Sequence, residues 1–132
     1  MGRKKLLHAH EVPMRIIGLP FEESSYRDGS SLWDAETLVN AVQEQGCEVY
    51  ELPLFALDIS RMPWNIENMR DVMFHMKRVE EADLKYPIIV DPYGYICDGW
   101  HRVAKAMLAG KRTIKAQRLH RMPEADRSTE SE

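Results

Sequence analysis

Residues 86–119 read YPIIVDPYGYICDGWHRVAKAMLAGKRTIKAQRL, and this run decides the fold class. Ile88, Ile89 and Val90 are a short unbroken apolar run followed by turn residues, which predicts a buried strand. Asp91-Pro92-Tyr93-Gly94 places Asp, Pro and Gly at the first, second and fourth positions of a type I turn, so residues 95–97 return antiparallel. Asp98-Gly99 stops that strand. Val103, Ala104, Met107 and Leu108 recur at helical spacing over residues 100–109, and Gly110 terminates the helix. Residues 113–119 alternate Ile114 and Ala116 with polar neighbours and predict a last strand. The order predicts an α+β fold, a small mixed sheet packed by helices.

Working outward, Asp34 is a good cap for a helix over residues 35–45, where Ala35, Leu38, Val39 and Val42 share a face, and Gly46 ends it. Residues 48–59 read as extended, with Pro53 arguing for an edge or a bend. Residues 66–82 predict a second helix through Ile66, Met69, Met73, Met76 and Val79, with Asn65 as its cap. A methionine stripe suits an adaptable packing surface, in the core or against a second copy of the chain as a homo-oligomer. Residues 14–19 (MRIIGL) predict a short strand, residues 22–31 read as polar with a loop at 28–31, and residues 122–132 read as a polar disordered tail. The expected division is an unassigned extension with one helix over 1–46, a domain over 47–121, and the tail.

The chain has 132 residues, 44% hydrophobic and 30% charged, enough for one core without metal or disulfide staples. Cys47 and Cys97 form no CxxC pattern, and free thiols in a reducing cytoplasm are the expectation. No apolar run approaches the roughly 20 residues that span a bilayer, so no membrane partner is expected. His8 and His10 are an i,i+2 pair without further ligands nearby and predict no metal site. The net charge is −3, yet residues 98–121 carry seven basic residues against the single acid Asp98, a net of +6. That stretch is expected to meet an anion.

Asp98-Gly99-Trp100-His101-Arg102 is where the chemistry concentrates. A strand ends, a glycine turns the chain and a helix begins, so its first N–H groups and its dipole favour an anion. Arg102 offers a fork of donors to a phosphate, His101 a further donor, and Lys105 added positive charge. Gly99 would let a ligand approach the backbone. Trp100 would wall the site, and Trp64 would either pack or stack on a base. Asp98 reads as a magnesium ligand, a proton acceptor, or simply the salt-bridge partner of Arg102. The same residues also fit a plain turn with a solvated helix start.

The block 86–119 resembles the core of the ParB/sulfiredoxin superfamily, and residues 48–59 and 66–82 fall where that family has its first strand and first helix. Sulfiredoxins have Gly-Cys-His-Arg, whereas Trp100 stands at the cysteine position, so sulfinic-acid reduction is not expected. ParB partition proteins have Gly-Glu-Arg-Arg, bind CTP and carry a DNA-reading domain that has no counterpart here. The free-serine kinases have Asp-Gly-x-His-Arg, which residues 98–102 match best, but only Asp58 lies near the place of their carboxylate base. The resemblance implies a nucleotide or phosphorylated small molecule as ligand; ATP or another nucleotide is the expected cofactor, and the Asp98 reading adds magnesium. Asp98 and His101 would be the catalytic residues of phosphoryl transfer or nucleotide hydrolysis, and residues 99–102 with Lys105 the ligand-binding set. The alternative expectation is a non-catalytic DNA-associated protein that uses the basic 102–121 face.

Overall fold

The computed structural model describes residues 25–128. The strand expected at residues 14–19 and the His8/His10 pair lie outside them. Among the described residues two small sheets and three α-helices pack together in a mixed α+β arrangement.

The central sheet has four strands. β3 is Tyr50–Pro53, β4 is Ile88–Val90, β5 is Ile96–Asp98 and β6 is Thr113–Arg118, in the order β3-β6-β4-β5. β4 and β6 run parallel, joined by a crossover through α3 (Trp100–Leu108), and the other two pairings are antiparallel. Pro53 ends the edge strand β3, and a 3-10 turn follows at Leu54–Ala56. The turn between β4 and β5 forms as its sequence requires. The Gly94 N–H donates to the Asp91 carbonyl, and the Asp91 carboxylate accepts from the N–H groups of Tyr93 and Tyr95.

The period-2 alternation of strands assigns neighbouring residues to opposite faces. Ile88, Val90, Ile96, Ile114 and Ala116 are buried with Val103 and Ala106 of α3 on one side. Ile89, Cys97 and Leu119 are buried on the other, with Leu38, Ala41 and Val42 of α1 (Ala35–Glu44). Full burial of each Leu, Ile or Val contributes roughly 1.5–3 kcal/mol, so both faces are needed to hold β4 in place.

The loop expected at 28–31 is the turn of a hairpin, whose strands the polar sequence before it does not suggest. β1 (Ser25–Asp28) and β2 (Ser31–Asp34) pair antiparallel around Gly29, whose φ of 63° admits the tight turn. Tyr26 and Trp33 project from it into the α1 side of the core. Residues 122–128, expected as part of a disordered tail, are also structured. Met122 and Ala125 pack on the same cluster, the Trp33 indole donates to the Pro123 carbonyl at 2.7 Å, and β7 (Arg127–Ser128) pairs with β2. Asp34 precedes α1 as expected but its carboxylate does not cap the helix. Asp126 accepts from the Asp34 N–H and from the Thr37 hydroxyl instead.

α2 is Met69–Glu81, shorter than the expected 66–82, and its cap is Asn68, not Asn65. The expected methionine core face is overturned. Met69, Met73 and Met76 are 68%, 52% and 64% exposed, and the buried residues of α2 are Phe74 and His75. The helix packs on α3 through the neighbouring stripe, which leaves the methionines on the outside. No helix among the described residues is long and apolar enough to cross a membrane.

Candidate functional site

The expected motif stands at one wall of a cleft of about 790 Å³, which also takes lining from the 61–65 loop, α2, the β1–β2 hairpin and β7. Asp98 ends β5, Gly99 turns the chain with φ 109°, and α3 starts at Trp100. The first turn-closing bond, from the Val103 N–H to the Gly99 carbonyl, leaves the earlier N–H groups of α3 without intrahelical partners, on residues that line the cleft.

Gly99 is required here for packing, not for ligand approach as expected. A Cβ at this position would lie 2.5 Å from Ile88 Cγ2 and 2.9 Å from Ile88 Cβ, so it would point into β4. Arg102 and Asp98 form a half-buried ion pair at 2.9 Å, and Arg102 also donates to the Tyr86 carbonyl. Of the readings open for Asp98, the salt bridge is the one present. Lys105, expected in the ligand-binding set, is not among the residues that line the cleft. Its ammonium donates to the carbonyls of Glu80 and Ala82 at 2.8 and 2.7 Å and so caps the C-terminus of α2. Arg118 likewise donates to the Pro92 carbonyl of the β4–β5 turn. Three of the seven basic residues of the +6 stretch are thereby committed to separate structural contacts, while Lys111, Arg112 and Lys115 are exposed.

His101 is engaged with a partner that the sequence does not suggest. Its Nε2 lies 2.9 Å from Nδ1 of His75, one imidazole donating and the other accepting. The two rings are nearly coplanar, and the Trp64 indole stacks on both, 4.5 Å from His75 and 4.6 Å from His101. Burial first, and then the Arg78 charge, pushes His101 down to about 3 and lowers His75 as well. Both rings are therefore neutral at pH 7. His101 is too weak a base to take a proton there, and it brings no positive charge to a phosphate. Trp100 is half-buried, packs against the α3 side of the core and lines the cleft, as expected of a wall.

The positive charge of the cleft comes from elsewhere. Arg61, Arg78 and Arg27 line it together with Arg102 and Arg127, against two acids, Asp98 and Glu81. Glu81 is paired with Lys77 and Arg127 with Asp34. Among the described residues Arg27, Arg61 and Arg78 are in no ion pair, and Arg78 lies over the Phe74 ring at 5.6 Å. Arg78 was legible in principle, because it follows Phe74 by four residues and so shares its helix face. Arg27 lies in a stretch that reads only as polar, Arg127 in one that reads as a tail, and Arg61 in an irregular segment.

Asp58, the only candidate for a carboxylate base, does not line the cleft. It accepts from the N–H and hydroxyl of Ser60, and these bonds lower it below the usual carboxylate range. Cys97 is buried, and burial with Asp91 and Asp98 nearby pushes its thiol up, away from nucleophilic chemistry. No group of three or more His, Cys, Asp or Glu among the described residues is placed to hold a metal ion. Asp98, engaged by Arg102, is a poor donor for magnesium. A magnesium ion at this site would draw its oxygens mainly from a ligand's phosphates.

Comparison of the chain with family models, with curated proteins and with solved structures finds no match.

Proposed function

We propose that this protein binds a nucleotide or a related phosphorylated ligand in the cleft, with a phosphate against the N-terminus of α3 and the guanidinium groups of Arg61 and Arg78. The observation that carries the reading is that Arg61 and Arg78 share this cleft with the start of α3 while neither is in an ion pair among the described residues. A helix N-terminus and two unneutralised guanidiniums favour the same anion, and an arginine fork matches phosphate geometry. The Trp64 indole, which lines the cleft, suits stacking on the ring of a nucleoside. The resemblance of residues 86–119 to the ParB/sulfiredoxin core supports the same class of ligand.

The reading is of binding, not of turnover. His101 is held neutral and weakly basic, and the Asp98 carboxylate is engaged by Arg102, so neither is poised to move a proton. Calorimetric titration with ATP, ADP and CTP, with and without magnesium, tests it. Wild type is expected to bind at least one nucleotide, and Arg61→Ala/Arg78→Ala to weaken that binding at least tenfold. Absence of heat with all three nucleotides would overturn the reading.

A further inference from the structure

Cross-strand register brings two further arginines into one row. Arg27 of β1 lies opposite Leu32 of β2, and Leu32 lies opposite Arg127 of β7. Residues directly opposite each other in antiparallel strands project to the same face, and all three line the cleft. Adjacent strands are about 4.8 Å apart, so the backbones of Arg27 and Arg127 are separated by about 10 Å, with the Leu32 side chain between them. The Arg127 guanidinium is fixed by Asp34 at 2.6 Å, which offsets part of its charge. Arg27 is exposed and in no ion pair among the described residues.

This row belongs to the three-stranded sheet, whereas Arg61 belongs to the 61–65 loop, Arg78 to α2 and the remaining donors to the start of α3. The cleft therefore carries two separate sets of guanidinium groups. At about 790 Å³ it lies in the upper part of the roughly 300–1,000 Å³ range of ligand pockets, with room for more than one phosphoryl group and a ring.

Resting on the phosphate-site reading, we propose that Arg27 and Arg127 form a second anion subsite, and that the cleft takes a ligand with two phosphoryl groups at separate positions. A nucleoside 3′,5′-bisphosphate has this form, and a single phosphoryl chain does not. One group binds at the start of α3 with Arg61 and Arg78. The other binds on the Arg27–Arg127 row, with Arg127 pre-set by Asp34 and Leu32 against the sugar or ring.

The test is calorimetric titration of the full chain with AMP, ADP and adenosine 3′,5′-bisphosphate. ADP and the bisphosphate carry the same number of phosphoryl groups and differ in their placement. Wild type is expected to bind the bisphosphate at least tenfold more tightly than ADP. Arg27→Ala and Arg127→Gln are each expected to bring that ratio down toward one. A wild-type ratio near one, or a ratio unchanged in Arg27→Ala, overturns the second subsite while AMP and ADP binding keeps the first. No binding of any of the three overturns both.

Discussion

Two regions of this molecule are rich in positive charge, and they use it differently. In residues 98–121 the basic side chains are contiguous in sequence but divided in space. Arg102 holds Asp98, Lys105 caps α2, and Arg118 secures the β4–β5 turn. In the cleft the arginines come from positions as distant in sequence as 27, 61, 78 and 127, yet they face one volume. Linear charge density therefore does not say which side chains converge on one volume. Donors that already serve backbone carbonyls are not available to a ligand, and convergence is set by register and helix face.

If the 98–121 segment is mainly structural, perturbing it should cost stability. The largest effect is expected at Gly99→Ala, which combines a φ of 109° with a Cβ driven into Ile88. Overpacking and a left-handed alanine together cost about 3 kcal/mol, read as a lowered urea midpoint. Lys105→Ala is next. Loss of two charge-assisted bonds to the last carbonyls of α2 is expected to cost about 2 kcal/mol, while nucleotide affinity stays within twofold. Nucleotide affinity that falls tenfold with stability unchanged would assign Lys105 to the ligand after all.

The imidazole pair in the cleft gives a smaller, pH-dependent effect. Its folded pKa values lie below the ordinary 6.5, so the unfolded chain binds more protons as the pH falls below that value. Stability is then complete above about 6.5 and is lost as the pH falls toward 3, where His101 itself titrates. Urea midpoints measured between pH 7 and pH 4 should fall, and the fall should be shallower in His101→Phe. An equal slope in that variant would remove the pair as its source.

Much of the fold was legible because its signals are local. The apolar run at 88–90, the Asp-Pro-Tyr-Gly turn and the Asp98-Gly99 stop each act within a few residues. The hairpin and β7 were not legible, because polar Ser25–Asp28 and Arg127–Ser128 become strands only through pairing with β2 and burial of Tyr26 and Trp33. The methionine stripe misled because the helical period reports an apolar face without saying which face the neighbours cover. At the site, residues 98–102 were correctly located at a strand-to-helix turn, but the partners of each side chain were not. The bond between His75 and His101 joins residues 26 positions apart, and the Trp64 stack upon them depends on tertiary packing.

Arg61 and Arg78 of the cleft, and not the exposed lysines of the 98–121 segment, are expected to supply the positive charge that meets the ligand. Calorimetric titration of ADP into Arg61→Glu/Arg78→Glu and into Lys111→Glu/Lys115→Glu tests it most directly, since Lys111 and Lys115 are exposed on the 98–121 segment. The cleft pair is expected to lose affinity at least a hundredfold and the exposed pair to stay within threefold of wild type. Equal losses in the two variants, or wild-type affinity in the cleft pair, would contradict the account.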